Sequence, residues 1–107
     1  MKSVLPIDKA LDEIAEGKVK ETLDLLRDDE EVSSLYEQAN KLSILRLGYN
    51  DHGIVHAKIA SYNALRILNI LLAEGIAPNI VSEGIGDEED SKVAVLLGAF
   101  LHDIGYV

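Results

Sequence analysis

Apolar residues recur along most of the chain at intervals of three and four, the spacing that gathers side chains on one face of an α-helix. Over 6–16 this pattern groups Ile7, Leu11 and Ile14, with Pro6 near a helix start, where its missing N–H costs little. Gly17 is expected to end that helix. A second helix is predicted over 18–27 from Val19, Leu23 and Leu26, after which Asp28 or Asp29 offers an N-cap. The third runs from about residue 30 to residue 47, with Val32, Leu35, Ala39, Leu42 and Leu45 as its buried stripe. Gly48 interrupts the pattern, and Asn50 or Asp51 is expected to cap a fourth helix. Its apolar residues, Ile54, Val55, Ala57, Ile59, Ala60 and most of 64–72, reach almost all round, which places it at the centre of the fold. Gly75 closes it, and 76–86, with Pro78, Gly84 and Gly86, reads as a loop. A final helix begins near Asp87, carries 93–101 into the core and ends close to Gly105.

With two prolines and no strand-like alternation, the pattern predicts an all-α protein, a compact helical bundle of about five helices. A length of 107 residues suits one hydrophobic core, so 1–107 is read as a single domain, with amino-terminal helices in 1–47 and the later core in 48–107. Hydrophobic residues at 48% against 27% charged allow it to fold. The apolar stretches are broken by Arg66, Asn69 and Glu74 or end at His102, short of the roughly 20 residues a membrane span needs. The first eleven residues lack a basic segment followed by an apolar run, so no secretory signal is expected and a cytoplasmic location is.

Charge and cysteine content narrow the chemistry. A formal charge of −9 with no basic stripe would repel a phosphate backbone, so nucleic-acid backbone binding is not expected. A small phosphorylated ligand held through a metal is still allowed. The chain has no cysteine, which excludes disulfides and thiolate ligands and leaves any metal to histidine and carboxylate.

All three histidines fall in two places. His52 and His56 lie four apart at the expected start of the fourth helix, a spacing that projects both imidazoles from one face. His102 precedes Asp103 directly, a nitrogen donor beside a hard oxygen donor at the polar end of an apolar helix. Either pair alone carries little weight. If 93–101 is core, however, residues 102 and 103 are drawn to the edge of an apolar interior, where ionisable groups need a partner and a shared cation supplies one. The acidic run Asp87-Glu88-Glu89-Asp90 lacks the spacing of a calcium loop and reads as the first turn of a helix, where negative charge favours the dipole. Gly84-Ile85-Gly86 follows no strand and reads as a turn.

Two blocks resemble the HD superfamily of metal-dependent phosphohydrolases. One is Tyr49-Asn50-Asp51-His52-Gly53-Ile54-Val55-His56-Ala57-Lys58-Ile59-Ala60, followed by Asn63-Ala64-Leu65; the other is Leu96-Leu97-Gly98-Ala99-Phe100-Leu101-His102-Asp103-Ile104-Gly105. The resemblance covers about 48–107, and 1–47 lie outside it. It implies an HD-domain-like bundle lacking its carboxy-terminal helices, a divalent metal (Mn, Mg, Fe or Zn) on His56, His102 and Asp103, and hydrolysis of a phosphomonoester, phosphodiester or nucleotide. His52 matches the place that cyclic-nucleotide phosphodiesterases, distant relatives, give to a proton-donating histidine, and Asp103 joins it in the catalytic set. The family completes its site with an aspartate on a later helix that has no counterpart in the sequence up to Val107. The resemblance therefore implies a piece of a longer protein, or a site finished by another chain or by water. The alternative reading is a non-catalytic helical regulatory or interaction module that retains a partial metal site. An uncovered apolar face, where the later helix would pack, implies self-association or a partner.

Overall fold

A computed structural model of the chain describes residues 6–46 and 53–102, without the side chains of residues 40 and 42–46. Among these the chain forms six helices: α1 (Pro6–Ile14), α2 (Gly17–Asp28), α3 (Glu30–Arg46), α4 (Ile54–Ala73), α5 (Asn79–Ser82) and α6 (Glu88–Leu101). No strand occurs among the described residues, in keeping with the all-α pattern. The additional helix, α5, lies inside the stretch expected to be loop. It is a single turn closed by the Pro78 carbonyl, which accepts from the N–H groups of Val81 and Ser82 at 3.0 Å, and one turn is too short to leave a periodic signal.

The helix ends follow local chemistry. Of the two candidate caps for α3, Asp29 fills the role, its Oδ1 accepting from the N–H of Val32 at 3.0 Å. Asp87 and Asp90 form a reciprocal capping box at the start of α6, so the acidic run is the helix entry that its sequence suggested. Gly75 (φ +82) closes α4: its own N–H reaches Leu72 O at 3.0 Å and that of Ile76 reaches Leu71 O at 3.1 Å, a Schellman ending. One expectation needs correction. Gly17 does not end α1, which stops at Ile14; with φ +56 it opens α2 and lets the two helices join through a tight corner. The fourth helix begins at Ile54 with Gly53 at its N-cap position, and Asn50 and Asp51, the expected caps, lie outside the described residues.

α4 packs against α1 and α6, and α6 packs in turn against α2. The core forms where these four meet: Leu11 from α1, Val19, Leu23 and Leu26 from α2, Ala57 and Leu65 from α4, Leu96 and Phe100 from α6. α3 adds Tyr36 to it, a residue that the expected stripe of α3 passes over. α4 is central on one side only. Ile59, Ile67, Ile70 and Leu71 are exposed along its other side, Ile67 and Ile70 by more than half, and Leu97 of α6 is exposed as well. No helix among the described residues is long and apolar enough to cross a membrane.

One charged cluster crosses this apolar interior. Asp8 of α1 is 1% exposed and Lys58 of α4 6%. The Lys58 Nζ lies 3.1 Å from Asp8 Oδ1, and Arg27 of α2 brings its Nη1 to 3.2 Å from the same oxygen. Through Nη2, Arg27 also holds Asp12 and Asp24, each at 2.7 Å, and Lys20 pairs with both of those carboxylates at the rim. Ions buried this deeply are tolerated only with counter-charges at hand, so the cluster ties three helices together at one point.

Truncating the fully buried Leu23 to alanine should destabilise the protein by about 2–5 kcal/mol in denaturant unfolding, through lost burial and the cavity left behind. Asp12 should contribute to an acid limb. Hydrogen bonds from Arg27 and then Lys20 lower its pKa from 3.8 to about 2, so its stabilisation is complete above the ordinary carboxylate range and is lost as pH falls toward about 2. Asp12→Asn should flatten thermal stability across that window, by a small amount because the carboxylate is partly solvated.

Candidate metal centre

The antiparallel packing of α4 and α6 carries the start of one helix to the end of the other. His56, in the first turn of α4, and His102, the C-cap of α6, meet there with ring centroids 5.5 Å apart and planes inclined by 58°. Two residues 46 positions apart in sequence thus come together because Ala57 on one helix and Phe100 on the other are drawn into the same core.

Both rings are exposed. The expectation that His102 sits at a buried edge is therefore not met: of 93–101, Leu96 and Phe100 are fully buried, whereas Ala94, Leu97 and Gly98 face outward. The end of α6 lies at the rim of the bundle. Of the two histidines expected to share one helical face, His56 lies in the first turn of α4, which starts at Ile54. His52 and Asp103 lie outside the described residues. Among the described residues no group of three or more His, Asp or Glu side chains is arranged to hold a metal ion.

The tautomer of His102 follows from its neighbour. Nδ1 lies 2.6 Å from the carbonyl of Ala99, and a carbonyl only accepts, so Nδ1 carries the proton and donates. The lone pair of a neutral ring is then on Nε2, the arrangement by which metal-binding histidines fix their orientation through a backbone carbonyl. The same bond engages a carbonyl of the last helical turn, as a histidine at a helix end does without any metal.

The separation of the rings tests the donor set further. A metal about 2.1 Å from each coordinating nitrogen sits about 3.2 Å from each ring centre, and a near-tetrahedral angle then separates the ring centres by about 5 Å. The observed 5.5 Å is near that value and also within the roughly 4.5–7 Å of an ordinary ring–ring contact.

Side chains that the sequence reading passed over hold both helices in place. Tyr36 of α3 donates its buried hydroxyl to the carbonyl of Phe100, and its ring meets that of Phe100 edge-on with centroids 6.2 Å apart, two residues before His102. Lys58, two residues after His56, is anchored on Asp8. Tyr36 stands outside the expected stripe of α3 as one of four scattered tyrosines, and Asp8, Arg27 and Lys58 look in sequence like solvated charges on helix surfaces. Only the conjunction of a lysine inside an apolar stretch of α4 with an aspartate inside the stripe of α1 hinted otherwise.

Over 90 residues the chain is 46% identical to the uncharacterized protein MJ1020 of Methanocaldococcus jannaschii, a match that takes in 84% of this chain and 35% of that protein. The chain thus spans about a third of the length of the curated relative it matches. No protein-family model matches the chain, and no solved structure does.

Tyr36→Phe, which keeps the ring and removes the donor, should lower stability by about 1–3 kcal/mol, the cost of leaving the Phe100 carbonyl buried without that hydrogen bond. Denaturant unfolding monitored by circular dichroism checks this.

Proposed function

We propose that the chain carries part of a divalent-metal centre of the HD phosphohydrolase type, acting on a small phosphorylated substrate. The observation that supports it is the meeting of His56 and His102 at the junction of α4 and α6, at a separation suited to one ion. In this reading His56 and His102 bind through neutral ring nitrogens and Asp103 adds the carboxylate. A Mn, Mg, Fe or Zn ion there supplies Lewis-acid activation of water and of a phosphoryl oxygen. The protein contributes the rest. Carbonyls at the end of α6 present the negative end of a helix dipole, which favours a cation beside His102, while the start of the 20-residue α4 presents the positive end, which favours a phosphate. His52, just ahead of α4, takes the role of proton donor to the leaving oxygen.

A second reading has its own observation. The exposed apolar side of α4, with Ile59, Ile67, Ile70 and Leu71, together with Leu97 of α6, is the surface of a helical module that binds a partner or a second copy and keeps two metal-ligand histidines without turnover.

The purified chain should take up Mn²⁺ or Zn²⁺ in calorimetric titration, and His56→Ala and His102→Ala should each weaken that binding by at least about 100-fold while circular dichroism shows the helices intact. Hydrolysis of nucleotides or generic phosphoesters with added Mn²⁺ supports the enzyme, and metal uptake without turnover supports the module. Equal metal uptake by both variants and the parent would remove the metal centre from either reading.

A further inference from the structure

We propose that Asp8 is a positioning residue for His56, acting through Lys58. The inference goes beyond the metal reading by giving the amino-terminal helices a part in the site, and it rests on that reading for its consequence in metal binding, though not for its geometry.

The observations concern how the first turns of α4 are held. Ala57 is fully buried there but is small, and contact with a methyl group does little to fix rotation about the helix axis. Lys58 does more. It leaves α4 on the side away from His56, and its Nζ is 3.1 and 3.2 Å from the two oxygens of Asp8, with Arg27 Nη1 of α2 at 3.2 Å from the first of them. The side chains of Asp8, Arg27 and Lys58 have almost no contact with water, at 2%, 5% and 8% exposure. Turning α4 about its axis would draw Lys58 away from a carboxylate that water cannot reach, so the ion pair selects one angular setting of the helix.

That setting is transmitted to His56 by simple leverage. An imidazole lies about 6 Å from the helix axis, so a rotation of about 20° moves it by about 2 Å. A ligand site tolerates roughly 0.5 Å. The opposite ring is held independently, through the Tyr36 hydroxyl on the Phe100 carbonyl near the end of α6. Asp8 therefore governs one ring of the pair and leaves the other in place.

A merely structural role for Asp8 would lower stability and nothing else, so the test compares Asp8→Asn with Leu23→Ala, a core variant that leaves every charge of this cluster in place. Both are studied in the full chain at a temperature where circular dichroism shows them helical. Two quantities are measured: Mn²⁺ affinity by titration, and the imidazole-to-imidazole nuclear Overhauser effect between His56 and His102 without metal. Asp8→Asn is expected to weaken Mn²⁺ binding by about 10-fold or more and to diminish the Overhauser effect. Leu23→Ala is expected to change neither. If Asp8→Asn does not fold, Lys58→Gln carries the same comparison. The proposal is overturned if the charge variant keeps both quantities, or if Leu23→Ala loses as much of them. Should the parent chain bind no Mn²⁺ at all, the metal reading fails, and the Overhauser effect alone decides whether Asp8 sets the position of His56.

Discussion

The antiparallel contact between α4 and α6 is the constraint on which the remaining structure depends. Ala57 and Leu65 on one helix and Leu96 and Phe100 on the other are buried in a common core with residues of α1 and α2. Burial of apolar surface is strong but carries no direction, and it would permit several rotations and offsets of two such helices. What it does fix is proximity: once these residues share a core, the beginning of α4 and the end of α6 must lie side by side. His56 and His102 are neighbours as a consequence of that packing.

Direction comes from polar groups. The cluster of Asp8, Arg27 and Lys58 and the bond from Tyr36 to Phe100 are buried and satisfied, and each links an amino-terminal helix to one of the two helices that bear a histidine. Buried ion pairs contribute little net stability compared with well-packed apolar groups, yet they penalise every arrangement in which a charge loses its partner. α1, α2 and α3 thus serve as more than a cover for the core. The other side of α4 shows the contrast, for there Ile67 and Ile70 face water with nothing among the described residues to cover them.

Much of the helical framework is legible in the chain, because periodic apolar residues, a Gly75 ending and an Asp87–Asp90 capping box each have a local physical cause. The one-turn α5 was not, since four residues carry no period, nor was the start of α4, where Gly53 took the place given to Asn50 or Asp51. Of the candidate site, the rings of His56 and His102 lie with centroids 5.5 Å apart, and His52 and Asp103 lie outside the described residues. The burial argument for His102 went astray for a plain reason: an apolar run shows that a helix has a buried face, not that its last turn lies beneath other chain segments. The supporting residues were hidden by a different ambiguity. An aspartate, an arginine and a lysine on three separate helices look like solvent-facing charges until the tertiary packing brings both cations within 3.2 Å of the carboxylate.

The central claim is that the junction of α4 and α6 offers two imidazoles to one cation, and crystals grown with Mn²⁺ test it most directly through anomalous scattering. The account predicts a single strong anomalous peak within about 2.2 Å of a ring nitrogen of both His56 and His102. A peak seated instead on the acidic turn at Asp87–Asp90, or rings too far apart to reach a common ion, would contradict it.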